Sequence, residues 1–308
     1  MTAPIPHSAS RPAPAAPLGT GELAAEITAQ LSRRLSRVRL HGLRPSRPPV
    51  PTLVAVAHGS RDPRALPAVR ALLDRVRALR PGLPVRLGHV ELNRPLLTDT
   101  LADLRGEAVL VPLLFGRGYH VTHDLPAALA DAPHLTGRIA TPLGPHPLLA
   151  EALHCRLLEA GFPPDPGPRT AVVLAAAGSR SPHSARDTER TAQLLSARLG
   201  GLPVRPAAAH SAPATGTAPA PAGGALPTVA DAVRALTARG HDHIAVAGCF
   251  TAPGRFATRC AEAAPGIAAA PLADHPALAR LVLHRYDQVL LAATGSDYES
   301  TGAATVAV

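Results

Sequence analysis

From Leu53 to Ala57 the chain runs as a short apolar stretch, and the Gly-containing turn His58–Pro63 follows it. Beyond the turn, Leu66, Val69, Leu72, Leu73, Val76 and Leu79 recur at the spacing of one helix face. The rhythm continues with a strand over Val85–Val90, a helix over Leu96–Leu104, a strand over Val109–Leu114 and a helix over Leu125–Ala130. Strands alternating with helices of this length predict a parallel sheet covered on both faces. Upstream, Leu23, Ile27, Leu31, Leu35 and Val38 make the stripe of one amphipathic helix between Glu22 and Leu40. Pro45, Pro48, Pro49 and Pro51 end it and mark a domain boundary.

The pattern then repeats. LVAVAHGSRDP at 53–63 is echoed by VVLAAAGSRSP at 172–182, and RPLLTDTLADL at 94–104 by LPTVADAVRAL at 226–236. AVLVPLLFGRGYHVT at 108–122 returns as IAVAGCFTAPGRFAT at 244–258, and LGPHPLLAEAL at 143–153 as LADHPALARLV at 272–282. Four echoes in one order imply an internal duplication. The expected fold is therefore α/β, with two doubly wound parallel-sheet lobes facing each other across a cleft. The expected organisation is a disordered Arg-rich extension carrying one helix at 1–50, a first lobe at 51–162 and a linker at 163–169. A degenerate second lobe follows at 170–292, interrupted by the low-complexity insertion 211–224, and a loose tail occupies 293–308.

Composition narrows the chemistry. All 31 basic residues are Arg, so a Schiff-base lysine and a Walker-type phosphate loop are both excluded. Seven of these Arg and only two acidic residues lie in 1–50, so most of the +9 net charge belongs to the extension. The folded body is mildly basic, suited to a small acidic substrate rather than nucleic acid, and 2% aromatic residues offer no base-stacking platform. Cys155, Cys249 and Cys260 form no Cys-x-x-Cys pair, which reads as buried thiols in a reducing, cytoplasmic setting. No apolar stretch reaches the ~20 residues of a membrane helix. Both lobes lie in one chain, so a monomer suffices.

Ligands of open α/β sheets bind beyond the carboxyl ends of the strands. In the first lobe that edge carries His58 after strand one, Glu91 after strand two and Phe115–His120 after strand three. Two imidazoles and a carboxylate suit a divalent transition metal, and neutral His also accepts protons near pH 7. Each has a plainer reading: a His after a strand bonds its own loop, and Glu91 pairs with Arg86 or Arg94. The duplication weighs against it. His58 aligns with Ala177 and His120 with Phe256, whereas His146 and His275 are retained together in a His-Pro context. One working site on the first lobe follows, with His146 and His275 as helix caps. Gly59, Ser60 and Arg61 form a turn able to seat an anion at a helix start. Asp62 reads as a cap, and His123 and Asp124 as helix-starting residues. A metal- or tetrapyrrole-binding protein without turnover and a generic anion-binding α/β protein remain open beside an enzyme.

HGSRDP at 58–63, VELNRP at 90–95, VPLLFGRGYHVTHDLP at 111–126 and LGPHP at 143–147 together resemble the sirohydrochlorin chelatases. The resemblance implies insertion of Co²⁺ or Fe²⁺ into sirohydrochlorin without ATP, in cobalamin or sirohaem synthesis. It implies no prosthetic group; the metal is a substrate. His58 would be general base and metal ligand, His120 the second metal-binding histidine, and Glu91 the acidic member of the site. Phe115, Gly116, Arg117, Gly118 and Tyr119 would form the macrocycle-contacting loop, with Ser60, Arg61 and Arg117 meeting substrate carboxylates. Arg117 stands where relatives commonly have small or apolar residues.

Overall fold

A computed structural model of the protein describes residues 27–32, 50–179, 181–209 and 225–302, the last with side chains to Ala293. Within the separate unit Met1–Pro49, residues 27–32 are helical, with Ile27 and Leu31 exposed. The rest of the expected extension and the insertion 211–224 lie outside the described residues.

The first lobe runs β1 (Thr52–Ala57), α1 (Ala65–Leu79), β2 (Val85–His89), α2 (Leu97–Asp103), β3 (Gly106–Pro112), a π-helical turn at His120–Asp124, α3 (Leu125–Ala130), β4 (Leu135–Ile139) and α4 (Pro147–Glu159). The second runs β5 (Thr170–Ala176), α5 (Pro182–Arg198), β6 (Val204–Ala208), α6 (Val229–Thr237), β7 (His243–Gly248), α7 (Arg255–Glu262) and α8 (Pro276–Gly302). The strand orders are β2-β1-β3-β4 and β6-β5-β7, with every pairing parallel. β4, whose LTGRI breaks the apolar pattern, is a strand that periodicity alone does not predict. The expected loose tail is helical at its start, because α8 continues past Ala293 to Gly302.

The duplication is visible in the hydrogen-bond registers. Leu53 pairs with Val85 as Val172 pairs with Val204, and Thr52 pairs with Ala108 as Ala171 pairs with Ile244. Even the isolated bridge His89–Leu96 has its counterpart in Ala208–Thr228. The fourth strand is where the copies diverge: Leu110 pairs with Ile139 within a five-residue strand, and Val246 meets Ala268 in a single bridge.

Alternation along the strands sorts the core into layers. Leu53, Ala55, Val109 and Val111 of the first sheet and Val172, Leu174, Ala245 and Ala247 of the second point into one shared core. The intervening positions face outward, Val54, Val56 and Leu110 into one outer cluster and Ala171, Val173 and Val246 into another. Helices α1, α4, α5 and α8 fill the middle, α8 lying against both α1 and α4. Each lobe thus has an outer core of its own but shares its inner one. α8 is tied back to the start of the first lobe by Tyr286, buried, whose hydroxyl donates to Pro51 O at 2.6 Å.

Candidate functional site

β1 and β2 deliver His58 and Glu91 to the same edge because their exits are zipped together. Val90 N–H donates to Ala57 O (2.9 Å) and Glu91 N–H to His58 O (3.0 Å). The turn after His58 lies flat on the turn after β2. Gly59 has φ +106°, and a Cβ there would stand 1.9 Å from Glu91 O. Only glycine permits this approach. Asn93 locks the turn from the side, its Oδ1 accepting from Ser60 N–H at 2.6 Å.

β3 delivers the third group. Its exit loop ends in the π-turn, closed by Leu125 N–H donating to His120 O. Such turns add a residue to the helical ladder and re-aim a side chain. The His120 ring meets His58 edge to face, ring centroids 4.6 Å apart and planes at 87°. Two imidazoles 62 positions apart in sequence are thus in contact, as strand order required.

Each ring has a carboxylate at Nδ1. Asp124 Oδ2 lies 2.6 Å from His120 Nδ1, a hydrogen bond, and Glu91 Oε1 lies 3.5 Å from His58 Nδ1. A carboxylate accepts only, so His120 carries its proton on Nδ1 and keeps the Nε2 lone pair free, the arrangement of a metal-ligating histidine. Burial, and next the neighbouring His120, lower the His58 pKa; Glu91 opposes them more weakly. His58 is therefore held neutral at ordinary pH and can bind a cation or take a proton. Glu91 does not join the imidazoles as a third ligand. Among the described residues no group of three or more His, Cys, Asp and Glu side chains is assembled to hold an ion. Its carboxylate addresses His58 instead, half exposed to solvent.

His146 and His275 have the opposite arrangement. Each Nδ1 accepts a backbone N–H at the start of a helix, from Leu148 (3.1 Å) and Ala277 (3.2 Å). Capping puts the proton of the neutral ring on Nε2, where no lone pair remains for a metal. The two are matched caps of the duplicated fold, as the repeat implied.

Several expected substrate contacts have other employment. Ser60 gives its N–H to Asn93, and its hydroxyl donates to Pro253 O (3.3 Å) while accepting from Asp62 N–H (3.1 Å). Ser60 is consequently engaged from within the turn and from the other lobe; Arg61 beside it is exposed. Arg117 is engaged by Asp187 of the second lobe, through Nε (3.0 Å) and Nη2 (2.6 Å), so it does not wait free for a substrate carboxylate. Phe115 packs against the shared core. Gly116 and Gly118 lie against Ser184 and Ser179 of the second lobe. Tyr119 is 60% exposed and stacks on His123, centroids 4.4 Å apart. Asp124 makes no capping bond at the start of α3. Its bond to His120 is the role that reading it as a helix starter misses; the His-x-x-x-Asp spacing was the available signal.

Solved chelatase structures share this architecture. The sirohydrochlorin chelatase SirB of Bacillus subtilis subspecies spizizenii, in complex with cobalt, superposes with a TM-score of 0.57 at 19% identity, over 77% of this chain and 93% of its own. CbiX, described as the terminal enzyme for biosynthesis of sirohaem in denitrifying bacteria, gives 0.56 at 22% identity, over 77% and 98%. A two-lobed α/β chelatase fold, with paired imidazoles at the inner edge of one lobe, is the class defined here. In sequence, residues 52–160 match the CbiX family model. The sirohydrochlorin cobaltochelatase of Methanococcoides burtonii is 29% identical over 123 residues, which make up 35% of this chain and 94% of the relative. The first lobe carries the match to the sirohydrochlorin chelatase family.

Proposed function

We propose that the protein inserts a divalent metal, Co²⁺ or Fe²⁺, into sirohydrochlorin without ATP, as a cytoplasmic enzyme of cobalamin or sirohaem synthesis. The observation that carries this reading is the His58–His120 contact, each ring with Nδ1 turned to a carboxylate. Two free Nε2 lone pairs hold a cation from one side and leave most of its coordination sphere open. An open sphere is what insertion requires, because an ion saturated by protein ligands is never released. The macrocycle loses two N–H protons as the metal enters, so the balance is M²⁺ plus the free base giving the metallated ring and two H⁺. His58, kept neutral by burial, takes one proton. Glu91, 3.5 Å from His58 and half exposed, passes protons to solvent. The chain has no lysine to serve a Walker-type phosphate loop, in keeping with insertion that needs no ATP.

The test is anaerobic insertion followed in the visible spectrum with Co²⁺ and Fe²⁺ separately. The wild type accelerates insertion of at least one. His120→Ala is expected to lower the rate about a hundredfold or more with the circular dichroism and melting temperature retained. Near-normal turnover in that variant refutes the assignment. Binding of metal and macrocycle by the wild type without acceleration would instead identify a carrier.

A further inference from the structure

The second lobe has Ala177 and Phe256 where the first has His58 and His120, yet it touches the first lobe's site loop at three successive positions. A Cβ on Gly116 would lie 3.3 Å from Ser184 Oγ and 3.5 Å from Asp187 Cβ, and one on Gly118 would lie 3.4 Å from Ser179 Oγ. Between the two glycines, Arg117 donates three hydrogen bonds to one carboxylate: backbone N–H to Asp187 Oδ2 (2.9 Å), Nε to Oδ2 (3.0 Å) and Nη2 to Oδ1 (2.6 Å). Asp187 sits in the second turn of α5 with its side chain 3% exposed, whereas that of Arg117 is half exposed.

A carboxylate so deeply buried is tolerated only while its counter-charge stays in place, because an unpaired charge cannot be resolvated there. Arg117 is therefore not free to swing away, and its own backbone is fixed by the same acceptor. The constraint passes directly to the histidine. Gly118 O accepts from Val121 N–H (3.1 Å) and Thr122 N–H (3.2 Å), so the turn that aims His120 hangs from the residue next to Arg117.

We infer that Asp187 is a positioning residue for His120: through Arg117 the second lobe holds the loop that presents the imidazole to His58. The inference rests on the chelatase reading only where it is tested with metal. It assigns the second lobe a part in the site.

The alternative is a staple that merely adds stability, as Arg80–Asp287 does between α1 and α8. Four variants of the full chain separate the two: Arg117→Ala, Arg117→Lys, Asp187→Asn and, as control, Arg80→Ala. The readouts are titration with Co²⁺ alone, ¹⁵N relaxation over residues 116–124, and thermal unfolding. Arg117→Ala and Asp187→Asn are expected to weaken Co²⁺ binding by about tenfold or more, the usual effect of removing support behind a metal ligand, and to loosen the loop. Arg117→Lys, which keeps the charge but not the paired geometry, recovers part of the loss. Arg80→Ala lowers the melting temperature and leaves affinity and loop relaxation unchanged. Arg117→Lys leaves the buried Asp187 its counter-charge, so it reports on the loop even if Arg117→Ala or Asp187→Asn fails to fold. Unchanged relaxation in Arg117→Ala overturns the inference, whatever the metal result. A loosened loop in a protein whose wild type takes up no Co²⁺ supports the inference and removes the cobalt form of the chelatase reading instead.

Discussion

At the scale of single residues, the histidines divide by what their Nδ1 atoms do. Facing a carboxylate, Nδ1 holds the proton and frees Nε2; facing a backbone N–H, it surrenders its lone pair and the ring becomes a cap. This one distinction separates His58 and His120 from His146 and His275. The caps therefore carry a pH signature of their own. Burial, with Arg285 and His284 close by, pushes the His146 pKa down to about 4. In the unfolded chain the value returns to about 6.5. Stability linked to His146 is thus complete above about pH 6.5. It drains away as pH falls toward 4, since the unfolded state binds a proton the folded state refuses. His146→Asn keeps a capping oxygen and removes the titration. Urea unfolding at pH 7.5 and pH 5 should show a smaller loss of stability in the variant than in the wild type. An equal loss would mean that the other buried histidines carry the whole effect.

Elements are where the sequence spoke most clearly. The apolar runs of β1, β2 and β3 and the stripe of α1 appear within a few residues of where periodicity puts them, because both faces of a parallel sheet demand apolar residues. The repeat was legible for the same reason: the registers must match if both copies keep their inner face. What escaped were features whose signal is not hydrophobic. β4 holds Thr, Gly and Arg in five residues. α8 runs into small and polar residues because extending a formed helix costs far less than nucleating one. Asp187 acts through hydrogen bonds to Arg117, 70 positions away, which no periodicity encodes, whereas the i,i+4 spacing of His120 and Asp124 was a signal present in the sequence. Of the site itself, the convergence of His58 and His120 followed from strand order, whereas the engagement of Ser60 and Arg117 required the second lobe in place. The turn after β1 is the element most sensitive to change. Gly59→Ala places a Cβ on Glu91 O in a left-handed backbone, and neither neighbour is a flexible side-chain end. A loss of about 2–4 kcal/mol in chemical denaturation is expected, accompanied by weaker metal binding as His58 and Glu91 shift apart. A change within about 0.5 kcal/mol, the range of ordinary surface substitutions, would show that the turn yields without strain.

On the scale of the molecule, the shared inner core decides what the first lobe can do alone. Leu72, Leu73 and Val76 of α1 and Leu149, Leu153 and Leu157 of α4 are fully or almost fully buried. They belong to the same cluster as Leu195 of α5 and Leu278, Leu281 and Val282 of α8. Cutting the chain after residue 162 would leave this helical face without its cover. Contiguous apolar surface of that kind drives association. The cut would also orphan Arg117 and remove the Thr251 hydroxyl from Leu113 O, which it reaches at 2.8 Å beside the site. Residues 51–162 produced alone are accordingly expected to sediment as dimers or larger species. Residues 170–308 supplied as a second polypeptide should convert them to a one-to-one complex. The recovered complex should regain Co²⁺ binding, because the second lobe supplies both the cover and the anchor of the loop. A stable, monomeric first lobe with undiminished affinity would show that the inner core is a convenience of the duplication rather than its reason for persisting.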